Sequence, residues 1–226
     1  MARILSCLAA LVISASAAAA DLPGISNADA NTGLKQALTD GSAAAVAKLG
    51  VENGFFGNPK VKIPLPPALQ RIESALRFAG MKKQADELVL TMNRAAEAAV
   101  PEAKALLVDS VRQMSIKDAK GILTGGDTAA TDYFRRTTQT QLTQRFLPIV
   151  KKATDQVGLA EQYNSLAGQG VQLGLIKKDQ STIEGYVTQK ALDGLYLMIA
   201  EQEKAFRQNP MGATSDIVKR VFGAVR

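Results

Sequence analysis

From residue 26 onward, apolar residues recur at three- and four-residue intervals through most of the chain, which is the spacing of helices with one buried face. Ser26 and Asp29 form a capping pair ahead of Leu34, Leu38, Ala45, Val46 and Leu49, and Gly41 is the expected break in that stretch. Leu69, Ile72, Leu76 and Ala79 predict a helix over 67–79, ended by Gly80. Ala85, Leu88, Val89, Met92, Ala95, Ala96 and Ala99 predict another over 82–99. Pro101 suits the first turn of the next helix, which carries Leu106, Leu107, Val111 and Met114. Ser115 and Asp118 make a capping box for 116–123.

In the second half, Phe134, Leu142, Phe146, Ile149, Val150, Ala153 and Val157 trace a long helix starting at Asp127 or Thr128, with a kink or break expected at Pro148. Residues 159–179 are rich in glycine and read as short turns of helix and loop around Gly168, Gly170 and Gly174. Ser181 and Glu184 cap a helix running to about residue 208, with its stripe at Ile183, Val187, Ala191, Leu195, Met198, Ile199, Gln202 and Phe206. Asn209-Pro210 ends it, and a last helix covers 215–222.

One segment breaks the pattern. Residues 52–67 hold Pro59, Pro64, Pro66 and Pro67, which remove backbone donors and favour extended conformations. They also hold Phe55, Phe56, Val61, Ile63 and Leu65, too apolar a set for a free linker. The segment reads as a strap across the helices, with a brief strand at 60–63. No repeat, low-complexity linker or composition shift divides the chain, so the expectation is an all-α, bundle-like fold with a single helical domain over 21–226.

Residues 1–20 read as a cleaved signal peptide: Arg3, an apolar run over 4–13, and small residues at 17–20. The run is too short to span a bilayer of about 30 Å. Cleavage after Ala20 or Ala17 removes Cys7, which lies too early in the run for a lipidation site. The expected destination is the periplasm. No later apolar run has membrane-spanning length.

The mature chain then has no Cys, His or Trp, and hence no disulfide, no Ser-His or Cys-His nucleophile pair, and no zinc site of the usual nitrogen and sulfur ligands. No SxxK dyad or GxxxxGK[ST] loop is present, and the partial match at Gly168-Gln169-Gly170 has Leu173 where the third glycine belongs. No cofactor or metal is expected. The net charge of +6, one unit of it from Arg3, is scattered over basic pairs such as Arg135-Arg136 and Lys151-Lys152. The aromatic residues do not interleave with these pairs as a single-strand stacking platform would, so no nucleic-acid partner is expected.

Two constellations could carry chemistry. Asn93, Arg94 and Glu97 share one face of an alanine-rich helix and form either a site for binding or acid–base work or an internal polar network. At Thr124-Gly125-Gly126 the glycines permit positive φ, and amides of Gly125, Gly126, Asp127 and Thr128 could meet an anion at the start of the long helix. Tyr133, Arg135 and Arg136 lie one to two turns on, whereas Asp127 would repel a phosphate and offers a thin ligand set for a cation. A plain joint between two helices explains the same residues.

The segments 92–104 (MNRAAEAAVPEAK), 118–134 (DAKGILTGGDTAATDYF), 186–210 and 54–70 together resemble the bacterial exported family catalogued as domain of unknown function 4197. The resemblance covers the chain from about residue 31 onward. It implies an exported, mainly helical protein of a Gram-negative bacterium, and it carries over no activity, cofactor or catalytic residue. The sequence thus points to a non-enzymatic protein that binds an envelope component: an anionic lipid, an envelope polymer or an envelope protein. The alternatives are an enzyme using carboxylate chemistry around Glu97 or Asp127, and a purely structural envelope protein.

Overall fold

The computed structural model describes residues 26–71, 73–172, 181–212 and 215–224. Residues 1–20, expected to be a signal peptide and holding Cys7 and the expected cleavage positions, lie outside these residues, as do Ile72 of the expected stripe, Gly174 and the side chain of Leu76. Ten α-helices are described: α1 Asn27–Leu49, α2 Pro67–Arg71, α3 Glu73–Phe78, α4 Lys82–Ala99, α5 Ala103–Gln113, α6 Ile116–Leu123, α7 Ala129–Thr154, α8 Gly158–Gln172, α9 Ile183–Gln208 and α10 Asp216–Ala224. The fold is all-α, and no strand forms among the described residues. None of the described helices is long and apolar enough to cross a membrane.

α4, α7 and α9 pack on one another at the centre, and α1 lies across α5, α9 and α10. α4 comes close to its neighbours because alanine dominates its inward face: Ala85, Ala95, Ala96 and Ala99 are buried beside Leu88 and Met92. α9 buries more than one stripe. Tyr186, Leu192, Gly194 and Tyr196 are as covered as Val187 and Leu195, because helices surround it on several sides. Buried residues from α1 to α10 join in one continuous core.

Local signals set most of the boundaries. The Ser26 hydroxyl accepts from the Asp29 amide to start α1, and Ser115 with Asp118 forms a complete capping box for α6. Pro101 lies in a 3-10 turn at Val100–Glu102 that leads into α5. Gly80, at φ +76°, turns the chain from α3 to α4.

Elsewhere tertiary packing overrides the local reading. α1 runs through Gly41 unbroken, and that residue is small because a β-carbon there would stand 3.2 Å from the Phe206 ring. The 67–79 helix is two short helices, α2 and α3. α7 continues through Pro148 without a break. Pro148 and Gln144, whose carbonyl loses its helical partner to the proline, both lie on the exposed side, where water reaches that carbonyl. Gly168 and Gly170 fall inside α8 rather than in loops, since burial of Leu159, Ala160 and Tyr163 outweighs a glycine cost of about 1 kcal/mol each. Thr182, not Ser181, caps α9 by accepting from the Gly185 amide.

The strap crosses the core as the sequence indicates, but without the strand at 60–63. Phe55, Val61, Ile63 and Leu65 point inward and are buried. Phe55 lies on Gly194 of α9, where an added β-carbon would stand 2.7 Å from the ring. The Tyr186 hydroxyl donates to the Pro64 carbonyl at 3.2 Å. Burial, aided by neighbouring Tyr163, pushes this phenol up to about 12, so it stays a proton donor through neutral and mildly alkaline conditions. Gly194→Ala should therefore lower stability by about 1–3 kcal/mol, the usual cost of overpacking. Chemical denaturation with unchanged α-helical circular dichroism at zero denaturant is the check.

Candidate functional site

Asn93 and Glu97 stand one turn apart on α4, and both are buried. The Asn93 side chain accepts from the Ile63 amide at 2.8 Å and donates to the Ile63 carbonyl at 2.8 Å, the two-bond pairing that a neighbouring strand would have supplied. Its second amide proton goes to the Val89 carbonyl at 2.7 Å. Glu97 Oε1 accepts from the Phe55 and Phe56 amides at 2.9 and 3.0 Å. Its Oε2 takes the Arg94 guanidinium at 2.5 Å.

Arg94 is half-buried and reaches on to Asn53 Oδ1 at 2.9 Å and Glu52 at 3.2 Å, with Phe56 beneath it. Asn53 sits at φ +66°, a left-handed conformation that asparagine tolerates better than most residues. All three residues of the first constellation thus converge on the strap. Asn93 and Glu97 hold its backbone, Arg94 holds its side chains, and both Glu97 oxygens are engaged.

The second constellation is organised by a residue that local pattern does not single out. Glu203 of α9 is 5% exposed and faces the first turn of α7. Its oxygens accept from the Ala130 amide at 2.9 Å and from the Thr131 amide and hydroxyl at 3.0 Å each. The first-turn amides of a helix lack partners and carry the positive end of its dipole, so a carboxylate is well placed there. Arg207, one turn along α9, pairs with Glu203 at 2.8 Å and also donates to the Ile122 carbonyl near the end of α6 at 2.8 Å. One ion pair on α9 therefore fastens both helices that meet at the glycine turn. An anion does sit at the start of the long helix, but it is the protein's own, and it binds amides 130 and 131 rather than 125–128.

The turn itself departs from the expected conformation. Neither Gly125 nor Gly126 has positive φ. Gly125 is required by space, since a β-carbon would stand 2.6 Å from the Ala129 side chain and 2.7 Å from the Gly121 carbonyl, whereas Gly126 faces open surroundings. Asp127 is exposed, and Thr128 precedes α7 with its hydroxyl donating to Asp132 at 3.3 Å. No cluster of three or more metal-ligating residues occurs among the described residues.

Beyond the turn, Tyr133 and Arg136 line a polar cleft of about 440 Å³ between α5, α6 and α7, with Ser110, Gln113, Thr137 and Gln141 among its walls. The Tyr133 hydroxyl donates to the Ser110 carbonyl at 2.7 Å, and Ser110 and Thr137 share a hydrogen bond of 2.7 Å. Arg136 lies over the Tyr133 ring and pairs with Asp118 at 3.0 Å. Hydrogen bonds from Ser115, with the nearby Arg136 charge, hold the Asp118 carboxyl below its ordinary range. Arg135 turns the other way, over the Tyr196 ring and 3.7 Å from Asp193. With Arg136, Gln139, Thr140 and Gln144 it borders an open groove of about 710 Å³ along the outer face of α7.

Glu203→Ala should cost about 3–5 kcal/mol, because it strands two amides, a hydroxyl and a nearly buried arginine. Glu203→Ala combined with Arg207→Met should recover part of that loss, since no charge is then left unpaired. Urea unfolding of the two variants and of the unaltered protein measures both effects.

No curated protein and no solved structure matches the chain. A family model described as a protein of unknown function (DUF4197) matches residues 24–223, and by that match, which spans α1 to α9 and all but the last residue of α10, the chain belongs to this family.

Proposed function

We propose that this is an exported, periplasmic, non-enzymatic protein that binds an anionic envelope polymer along the outer face of α7. The observation that carries the proposal is the make-up of that helix. Between residues 133 and 154 it has five basic residues and no acidic one, interspersed with threonine and glutamine. Such a surface offers cations and neutral hydrogen-bond donors together, the pairing that suits a hydroxylated polyanion.

The ion pairs now holding these cations are exposed, and two are long: Arg135 to Asp193 at 3.7 Å and Arg145 to Glu102 at 4.0 Å. Exposed pairs of this kind contribute about 0–1 kcal/mol, so an incoming sulfate or phosphate can replace them at little cost. The cleft beside Tyr133 and the groove beside Arg135 both border Arg136, and because Asp109 and Asp118 line the cleft and Asp132 the groove, the contacts to a polyanion fall on the arginines and the neutral donors. The engagement of Glu97 with backbone amides and Arg94 supports binding over carboxylate catalysis.

Retention on dextran sulfate at low salt, with none on uncharged dextran, is the expected result. At about 1 kcal/mol per cation near an anionic surface, Arg135→Gln with Arg136→Gln should weaken binding on the order of thirtyfold. Equal retention of this variant and the unaltered protein would contradict the assignment to α7.

A further inference from the structure

The turn between α3 and α4 carries a feature that the α7 reading leaves unexplained. Phe78, the last residue of α3, is 97% exposed. A single exposed apolar side chain is ordinary on a protein surface, so exposure alone decides nothing. What surrounds Phe78 is less ordinary. From residue 77 to residue 85 the sequence holds three basic residues and no acidic one. Lys82 and Lys83 are exposed in the first turn of α4, and Arg71 is exposed at the end of α2.

Helix dipoles disfavour cations at the N-terminal end, and Met81 supplies no side-chain cap there, so the two lysines are unfavourably placed with respect to the dipole of α4. Neither of them forms an ion pair among the described residues. α3 packs beside α4 and α2 beside α3, and Leu69 is the buried residue of α2. The polypeptide therefore presents an exposed aromatic ring at the end of α3, with exposed Lys82 and Lys83 four and five residues further along the chain.

We propose that this tip docks on the surface of an anionic lipid bilayer, with Phe78 entering the acyl boundary and Lys82 and Lys83 meeting lipid phosphates. A protein partner of stable affinity needs a continuous patch of several hundred Å² on each side, and one ring does not supply it. A bilayer asks for less, because apolar insertion and electrostatic attraction add there as two independent signals. The docking is reversible, since one aromatic side chain and a few cations fall far short of a membrane anchor. It goes beyond the polymer-binding reading and uses a different surface.

The chain has no tryptophan, so Phe78→Trp places a single tryptophan, excited apart from the tyrosines, at the tip without touching the core. With the mature chain at low salt, phosphatidylglycerol vesicles should shift its emission to the blue and carry the protein down on sedimentation, while phosphatidylcholine vesicles do neither. Lys82→Gln with Lys83→Gln should weaken vesicle binding on the order of thirtyfold. Phe78→Ser should weaken it about tenfold or more, with circular dichroism unchanged.

No blue shift on phosphatidylglycerol at low salt overturns the proposal. A shift that follows protein concentration without lipid also overturns it, in favour of contact between copies of the chain. Vesicle binding that survives Phe78→Ser but is lost with Arg135→Gln and Arg136→Gln assigns the lipid surface to α7 instead and overturns the tip as the docking element.

Discussion

A chain segment that crosses a hydrophobic core without being helix or strand brings amides and carbonyls that water cannot reach. Each one left unpaired costs about 1–3 kcal/mol. The strap over 52–67 faces that constraint, and so does the first turn of α7, whose leading amides have no helical acceptor. Three side chains meet it: Asn93, Glu97 and Glu203. The pairings join residues 30, 42 and 73 positions apart, so they are also what fastens the strap to α4 and the α6–α7 joint to α9.

Both glutamates are buried, and both have an arginine at short helical spacing: Arg94 for Glu97 and Arg207 for Glu203. A carboxylate taken out of water needs compensation in full, and here each receives backbone amides on one side and a guanidinium on the other. The arginines are also used twice. Arg94 steadies the left-handed Asn53 at the entrance of the strap, and Arg207 takes a carbonyl from the end of α6. These are places where a sequence reader would look for a ligand-binding anion hole or a catalytic acid, and the protein has filled them itself. The polymer and bilayer readings accordingly rest on outward-facing residues of α7 and of the α3–α4 turn.

Much of this was legible before any coordinates. The Ser115–Asp118 capping box, the α4 boundaries, the extended apolar strap and the grouping of Asn93, Arg94 and Glu97 on one face all follow from residue type and spacing. What was not legible came from long-range contacts. Glu203 lies one position past the expected stripe residue Gln202, and nothing near it in sequence announces that the start of α7 will arrive there. Gly41 reads as a breaker when only its own helix is considered, yet it serves the approach of the Phe206 ring. Gly125 reads as a source of positive φ, yet it is required because Ala129 folds back over it. Gly168 and Gly170 read as loop residues because their helix is held by packing of its earlier turns rather than by its own propensity.

The central claim is that side chains from α4 and α9 pair the backbone of the strap and of the α7 start as securely as a helix pairs its own. Residue-resolved amide hydrogen exchange measures this directly. The account predicts that the amides of Phe55, Phe56, Ile63, Ala130 and Thr131 exchange as slowly as those in the middle of α4 and α9. It also predicts that Glu97→Gln speeds exchange at Phe55 and Phe56 alone, and that Glu203→Gln does so at Ala130 and Thr131 alone. Exchange of these five amides at the rates of an open loop, while α4 and α9 stay protected, would contradict it.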